Sequence, residues 1–171
     1  MADRIIRTSG ATGITAEPII TTVLAGELLA QSPELWLVSP WISDVPGIDN
    51  TRGDFDALFL DPVARVYPLS HVLAQLTQTG SQVNVVTRPD DQNRTFVNRF
   101  ERQANPPRYT TVWNEDVHEK TLCGQGWLLT GSMNFTTRGM RFNDEAVTYH
   151  TDLAAAASTR MDFNHRWKGQ P

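Results

Sequence analysis

An α/β fold, with a central mixed β-sheet flanked by helices on both faces, is predicted by three features of the sequence. Glu34-Leu35-Trp36-Leu37-Val38-Ser39-Pro40-Trp41-Ile42 is a short, nearly continuous apolar run, the pattern of a central strand covered on both faces. Helix-like and strand-like segments then alternate, which is the order of a layered α/β domain. Finally, residues 117–130 read as a hairpin about Gly124-Gln125-Gly126, which adds an antiparallel pair to the sheet. The whole chain, residues 1–171, is expected to form one domain with a proper core.

Taken in order, residues 1–17 are expected to be an irregular lead-in, rich in Ser, Gly and Thr from Thr8 onward. A helix follows over Ile19 to Ala30, with apolar residues at helical spacing and Pro18 near its start. The central strand comes next, with Ser39 and Asp44 toward its ligand-facing end. Residues 44–68 lose the pattern at Pro46-Gly47, Asp49-Asn50 and Gly53-Asp54 and read as a long loop. Its Asp54, Asp56 and Asp61 lack the glycine and terminal Glu of a calcium loop and read as solvated surface. Leu69 to Gln78 is a second helix, with Ser70 as a candidate cap and Gly80 as its stop. Gln82 to Arg88 is a strand, and Asp90 or Asp91 caps a helix over Asn93 to Gln103. That helix has Phe96, Val97 and Phe100 as its core stripe, while Arg94, Arg99 and Arg102 lie off it, either solvated or facing substrate. Tyr109 to Trp113 is a strand leading to the hairpin. Thr136 to Phe142 is a loop or short helix, Asp144 to His150 the final strand, and Asp152 to Trp167 a closing helix.

The hairpin carries the chemistry. Side chains two apart on a strand share a face, so His118 and Lys120 project together. The returning strand brings Gly131-Ser132-Met133-Asn134 toward them. A neutral imidazole can attack phosphorus while Lys, Ser and Asn hold the phosphate oxygens as charge builds, a set suited to phosphoryl transfer with no metal. Cys123 falls on the other face and reads as a small buried hydrophobe. His150 and His165 read as structural or exposed.

This arrangement resembles the phospholipase D superfamily. His118-Glu119-Lys120 matches its H-x-K element, Gly131-Ser132-Met133-Asn134 its G-S-x-N element followed by Phe135-Thr136, and Asn143-Asp144-Glu145 its Asn-x-Glu step. The resemblance implies a phospholipase D-like fold and catalytic roles for His118, Lys120, Ser132, Asn134 and Glu145. Glu145 would accept a hydrogen bond from a ring N–H of a site histidine, the alternative being an exposed ion-pair partner. No cofactor is implied. Cleavage through a phosphohistidine needs a second group to protonate the leaving oxygen, and this chain carries one motif copy. The resemblance therefore implies a homodimer with the site on its two-fold axis. Trp41, Trp127 and Phe135 are the aromatic candidates for that interface, weighed against places in the core. Where the family has an Asp, this chain has Gly124 and Gln125, and the Lys120-to-Gly131 spacing is one residue short. Two functions follow. The first is a metal-independent phosphodiesterase acting on nucleic acid, DNA before RNA. The second is a weak or inactive nucleic-acid-binding subunit of a bacterial DNA-modification or defence complex, with partner proteins of that system.

Composition bounds these readings. The net charge of −4 argues against broad coating of nucleic acid, but Arg88, Arg94, Arg99, Arg102, Arg108, Lys120, Arg138 and Arg141 gather around the motif, while acidic residues cluster over Asp44 to Asp61. A single cysteine excludes an internal disulfide framework and fits a reducing compartment. With no long apolar run near the N-terminus, neither a signal peptide nor a membrane span is expected, and the chain reads as cytoplasmic with no membrane partner.

Overall fold

A computed structural model describes residues 3–169; the outermost residues of the expected lead-in and of the expected single domain lie outside the described residues. The chain runs β1 (Arg4–Thr8), α1 (Glu17–Leu29), β2 (Glu34–Val38), β3 (Pro46–Asp49), β4 (Val66–Pro68), α2 (Leu69–Thr79), β5 (Gln82–Thr87), α3 (Asp91–Glu101), β6 (Tyr109–Trp113), β7 (Thr121–Cys123), β8 (Leu128–Gly131), α4 (Thr137–Arg141), β9 (Glu145–His150) and α5 (Leu153–Phe163). A single π turn, Asn164–Lys168, extends α5. Seven strands form one mixed sheet in the order β1-β9-β8-β7-β2-β5-β6. The fold class is the one the sequence predicts.

The apolar run becomes β2 because both of its faces are covered. Leu35 and Leu37 enter a core built with α1, α2 and α3, whereas Trp36 and Val38 enter a second core with Cys123, Ala156 and Phe163 under α5. Trp36 is fully buried, edge-on to Phe163 at 5.5 Å and beneath the Lys168 ammonium at 5.0 Å. Local signals also fix the helix starts. Asp90 accepts from the Gln92 amide at 2.9 Å, and Asp152 accepts from the Ala154 and Ala155 amides at 2.8 and 3.0 Å. Gly80, at φ 125°, stops α2 as expected. The predicted stripe of α3 is buried, and its arginines divide: Arg99 pairs with Asp44 at 3.3 Å, while Arg94 stacks over Trp113 at 5.1 Å.

Four expectations are corrected. The lead-in contains a strand, since Arg4–Thr8 pairs antiparallel with β9; as an edge strand it buries little and leaves almost no hydrophobic pattern. Residues 44–68 are not a bare loop, because β3 and β4 form a two-stranded ribbon that buries Ile48 and Tyr67, with Phe59 stacked on Tyr67 at 3.6 Å. Ser70 does not cap α2 from the N-cap position. Its amide and hydroxyl donate to Asp44 at 3.0 and 2.9 Å, so a carboxylate from another segment serves the helix start. His118 and Lys120 lie in an extended segment just before β7 rather than within it. The ladder stops there because Thr121 pairs with Val38, the last residue of β2, and Pro40 carries no N–H to continue it.

The strand directions create the site. β5, β6 and β2 are mutually parallel, β7 and β9 run the other way, and β1 and β8 return parallel to β2. One edge of the sheet therefore collects the C-terminal ends of β1, β2, β5, β6 and β8 and the N-terminal ends of β7 and β9. In open α/β sheets such an edge is where ligands bind.

Candidate active site

Each matched residue sits just past a strand end on that edge. Lys120 precedes β7, Ser132 follows β8, and Glu145 begins β9, beside Thr8 at the end of β1. Ser132 donates its hydroxyl to Glu145 and accepts from the Ala146 amide at 3.0 Å. Asn143 donates to the other Glu145 oxygen at 3.1 Å. The Glu145 amide in turn donates to Thr8 Oγ1 at 3.2 Å, and Thr8 donates to the Asn143 carbonyl at 3.2 Å. Thus Glu145 is held from three directions, and within this protomer its carboxylate is occupied by Ser132 and Asn143.

Lys120 faces this carboxylate. Burial pushes its ammonium below the usual lysine range, the Arg88 guanidinium acts in the same direction, and Glu145 opposes both. Its Nζ also donates to the His118 carbonyl at 2.5 Å, which curls the segment between the two motif residues. Arg88, at the end of β5, fixes that segment from the other side through Nε to the Val117 carbonyl at 2.9 Å. The buried Val117 anchors it in the core under α5.

His118 is exposed and lines a cleft of about 410 Å³ with Asn114, Asp116, Glu119, Arg166 and Trp167. Glu119 is engaged by Arg166 at 2.8 Å. Hydrogen bonds among the described residues leave the His118 ring free, so its nitrogens are open to solvent and ligand.

Asn134 is placed by backbone packing. Its Oδ1 accepts from Ser39 at 3.4 Å, and Ser39 also donates to the Trp41 carbonyl at 2.9 Å. The following Phe135 bridges to Ile42, with the Ser43 amide donating to its carbonyl at 2.8 Å. Two glycines permit this closeness. A Cβ on Gly131 would lie 2.0 Å from the Ala146 carbonyl oxygen, and one on Gly139 would lie 2.3 Å from that of Asn134.

The structure thus brings Lys120, Ser132 and Glu145 into one network, sets Asn134 beside it and leaves His118 on the adjoining rim. Sequence reasoning counted Arg88 only among the basic residues and Trp41 only among the interface aromatics, and did not name Thr8 or Asn143 as supports. Asn143 was visible as the first residue of the Asn-x-Glu step, whereas Thr8 comes from a strand with no detectable pattern. The Gly124-Gln125 turn lies at the opposite end of β7, about 13 Å along the strand from Lys120 at some 3.3 Å per residue. There Gln125 donates its amide to Ser32 at 2.7 Å and Arg160 donates to its carbonyl at 2.8 Å. Two expected interface aromatics are placed elsewhere. Phe135 is core, and Trp127 packs at the remote end with its indole N–H on Glu27 at 2.6 Å. Trp41 remains on the site edge, half-exposed. Cys123 is fully buried, its thiol pushed up to about 11 by burial.

No helix among the described residues is long and apolar enough to cross a membrane. No curated protein matches the sequence. Among solved structures, a phospholipase D family member, Nuc from Salmonella typhimurium, aligns with TM-score 0.60 at 14% identity over 96% of this chain and 94% of that one. NucT from Helicobacter pylori aligns with TM-score 0.61 at 7% identity over 95% and 93%. A phosphatidylserine synthase from Haemophilus influenzae Rd KW20 aligns with TM-score 0.58 at 17% identity, covering 96% of this chain but 38% of that one. At these identities the likeness establishes the fold. The family model described as "Cardiolipin synthase, PLD-like domain" matches residues 58–167, more than half of the 171 residues and all of the motif segment. With the H-x-K, G-S-x-N and Asn-x-Glu elements on one sheet edge, the chain belongs to the phospholipase D-like family.

Proposed function

We propose that this protein is a metal-independent phosphodiesterase that cleaves nucleic acid through a phosphohistidine, with its site shared across a homodimer. The observation that carries this reading is the free His118 ring on the same edge as Lys120, Ser132, Asn134 and Glu145, with a single motif copy per chain. Family membership supports phosphodiester chemistry. In the first step the neutral imidazole of His118 attacks phosphorus, a P–N bond forms and a P–O bond breaks. The second copy of His118, protonated, gives its proton to the leaving oxygen. Water then attacks the phosphohistidine, its proton taken by that second imidazole, as a new P–O bond forms and the P–N bond breaks to free His118. Lys120 and the Nδ2 group of Asn134 stabilise charge on the non-bridging oxygens. Arg88, Arg94 and Arg138 near this edge favour a polyanionic substrate in spite of the net charge of −4. The exposed Phe142 and Trp113 lie at ends of β9 and β6 on that edge and supply apolar surface for a two-fold contact, which needs roughly 1,200 Å² or more in total.

The remote position of the Gly124-Gln125 turn supports the active reading over the inactive subunit, because a side chain there is not part of the proposed phosphate cradle; the net charge of −4 is the argument that still favours the alternative. The test is cleavage of single-stranded DNA in EDTA by wild type and by His118→Ala, with acid-labile label on His118 sought during turnover. Activity only in wild type, a trapped phosphohistidine and a particle mass near twice 19.1 kDa are expected. A required divalent ion, an active His118→Ala or a fully active monomer refutes the proposal.

A further inference from the structure

A second cleft, of about 330 Å³, opens next to Asn134 and is lined by Trp41, Ser43, Gln92, Thr136, Arg138 and Asn143 among others. We infer that this cleft is a base-binding subsite, in which the nucleotide adjoining the scissile phosphate stacks on the Trp41 indole. The inference rests on the nucleic-acid reading above and specifies where the substrate strand lies.

Trp41 is the platform. One side of its ring carries the Arg88 guanidinium at 5.9 Å, and the ring also borders the cleft. Its backbone is fastened on both sides. The Trp41 carbonyl accepts from Ser39, the Ile42 amide donates to the buried Asn93 side chain at 2.8 Å, and the Ser43 amide donates to the Phe135 carbonyl. Asn93 also holds the Pro40 and Arg88 carbonyls at 2.8 and 3.0 Å, so one amide side chain ties the platform to the end of β5. An aromatic face fixed in this way loses little entropy when a base stacks on it.

The polar lining suits a base edge. Gln92 donates to Ser43 at 2.9 Å, which orients both side chains while leaving the Gln92 carbonyl oxygen available as an acceptor. Asn134 accepts from Ser39 through Oδ1 and so turns its amide donors outward. Arg138 on α4 adds a cation at the exposed mouth. Mixed donors and acceptors beside an aromatic platform fit a heterocyclic base, and a cation at the mouth fits the next phosphate. A lipid acyl chain would instead call for an apolar lining. The cleft meets the proposed reactive centre through Asn134, through Asn143, which donates to Glu145, and through the chain Trp41–Arg88–Lys120.

The experiment scans a short single-stranded DNA with one abasic residue at each position in turn, measuring equilibrium binding to the full chain carrying His118→Ala so that no substrate is consumed. One position should weaken binding about five- to a hundred-fold, the range expected for loss of one stacked base. Trp41→Ala should bind the intact strand that much more weakly and no longer respond to the abasic residue, while Trp41→Phe should retain most of the response. The scan with Trp41 intact needs no platform variant, so it remains informative if Trp41→Ala unfolds. Salt-dependent binding with equal loss at every position, or an abasic penalty that persists in Trp41→Ala, overturns the subsite and leaves the nuclease reading standing. Absence of any binding to the intact strand, or binding to phospholipid vesicles instead, overturns both.

Discussion

Gly139→Ala is the smallest change that should separate folding from catalysis in this protein. Gly139 lies in α4, and a Cβ added there would stand 2.3 Å from the Asn134 carbonyl oxygen, whereas real Cβ atoms essentially never come within 3.0 Å. The gap between those values, about 0.7 Å, is the least by which the two backbones must part. Neither side yields easily. The same carbonyl accepts the Thr136 amide at 2.8 Å, and Thr136 caps α4 by accepting from the Gly139 amide at 3.1 Å. Overpacking of this kind costs about 1–3 kcal/mol, which a domain of this size tolerates. The positional effect is larger, because a displacement approaching 1 Å in a phosphate-holding group can cost about a hundred-fold in rate. We therefore expect kcat on a DNA oligonucleotide to fall about ten- to a hundred-fold, with the circular dichroism spectrum unchanged and Tm lowered by several degrees. Gly26→Ala is the control, since a Cβ there meets nothing within 4 Å and the residue lies in α1. It should raise stability by about 0.5–1 kcal/mol and leave the rate alone. A Gly139→Ala enzyme that is folded and as fast as wild type would mean that Asn134 has no positional role in the reaction.

Two further predictions concern groups whose environments are unusual. Glu145→Gln keeps the acceptor toward Ser132 but removes the charge facing Lys120. Steady-state rates should drop on the order of ten- to a thousand-fold with little change in substrate affinity, and an unchanged kcat would place Glu145 outside the site. Cys123 should resist thiol reagents until the chain unfolds. Its folded thiol titrates near 11 against an ordinary 9.0, so between those values the native state holds more proton than the unfolded one, and stability falls as pH rises. Unfolding titrations should show a loss on the order of 2–3 kcal/mol across that window which Cys123→Ala lacks. An identical pH slope in the variant refutes the assignment.

The Trp41 platform also bears on dimer formation. Of the three aromatic residues anticipated at the two-fold contact, only Trp41 is accessible on the motif edge, where Arg88 and the cleft engage it. The exposed Phe142 and Trp113 are, in the proposed dimer, the apolar candidates for that contact in place of Phe135 and Trp127.

What the sequence by itself determined is what depends on neighbours in the chain. A doubly buried strand needs a continuous apolar run, a helix start needs a nearby acceptor, and a phosphate cradle needs its few residue types in order. Thus β2, an acidic cap at Asp90 or Asp91 and the trio of motif elements were all legible in the residues. Only the tertiary structure decided matters that depend on register and on distant partners. Arg4–Thr8 forms a strand because β9 offers it an edge, Asp44 caps α2 from 26 residues away, and Arg88 meets Lys120 because β5 and β7 both flank β2. The missing Asp is the clearest instance. In the sequence Gln125 stands five residues from Lys120, yet a strand carries the chain away from its starting edge at about 3.3 Å per residue. Two positions close in sequence thereby finish at opposite ends of β7, one on the motif edge and one in a structural turn.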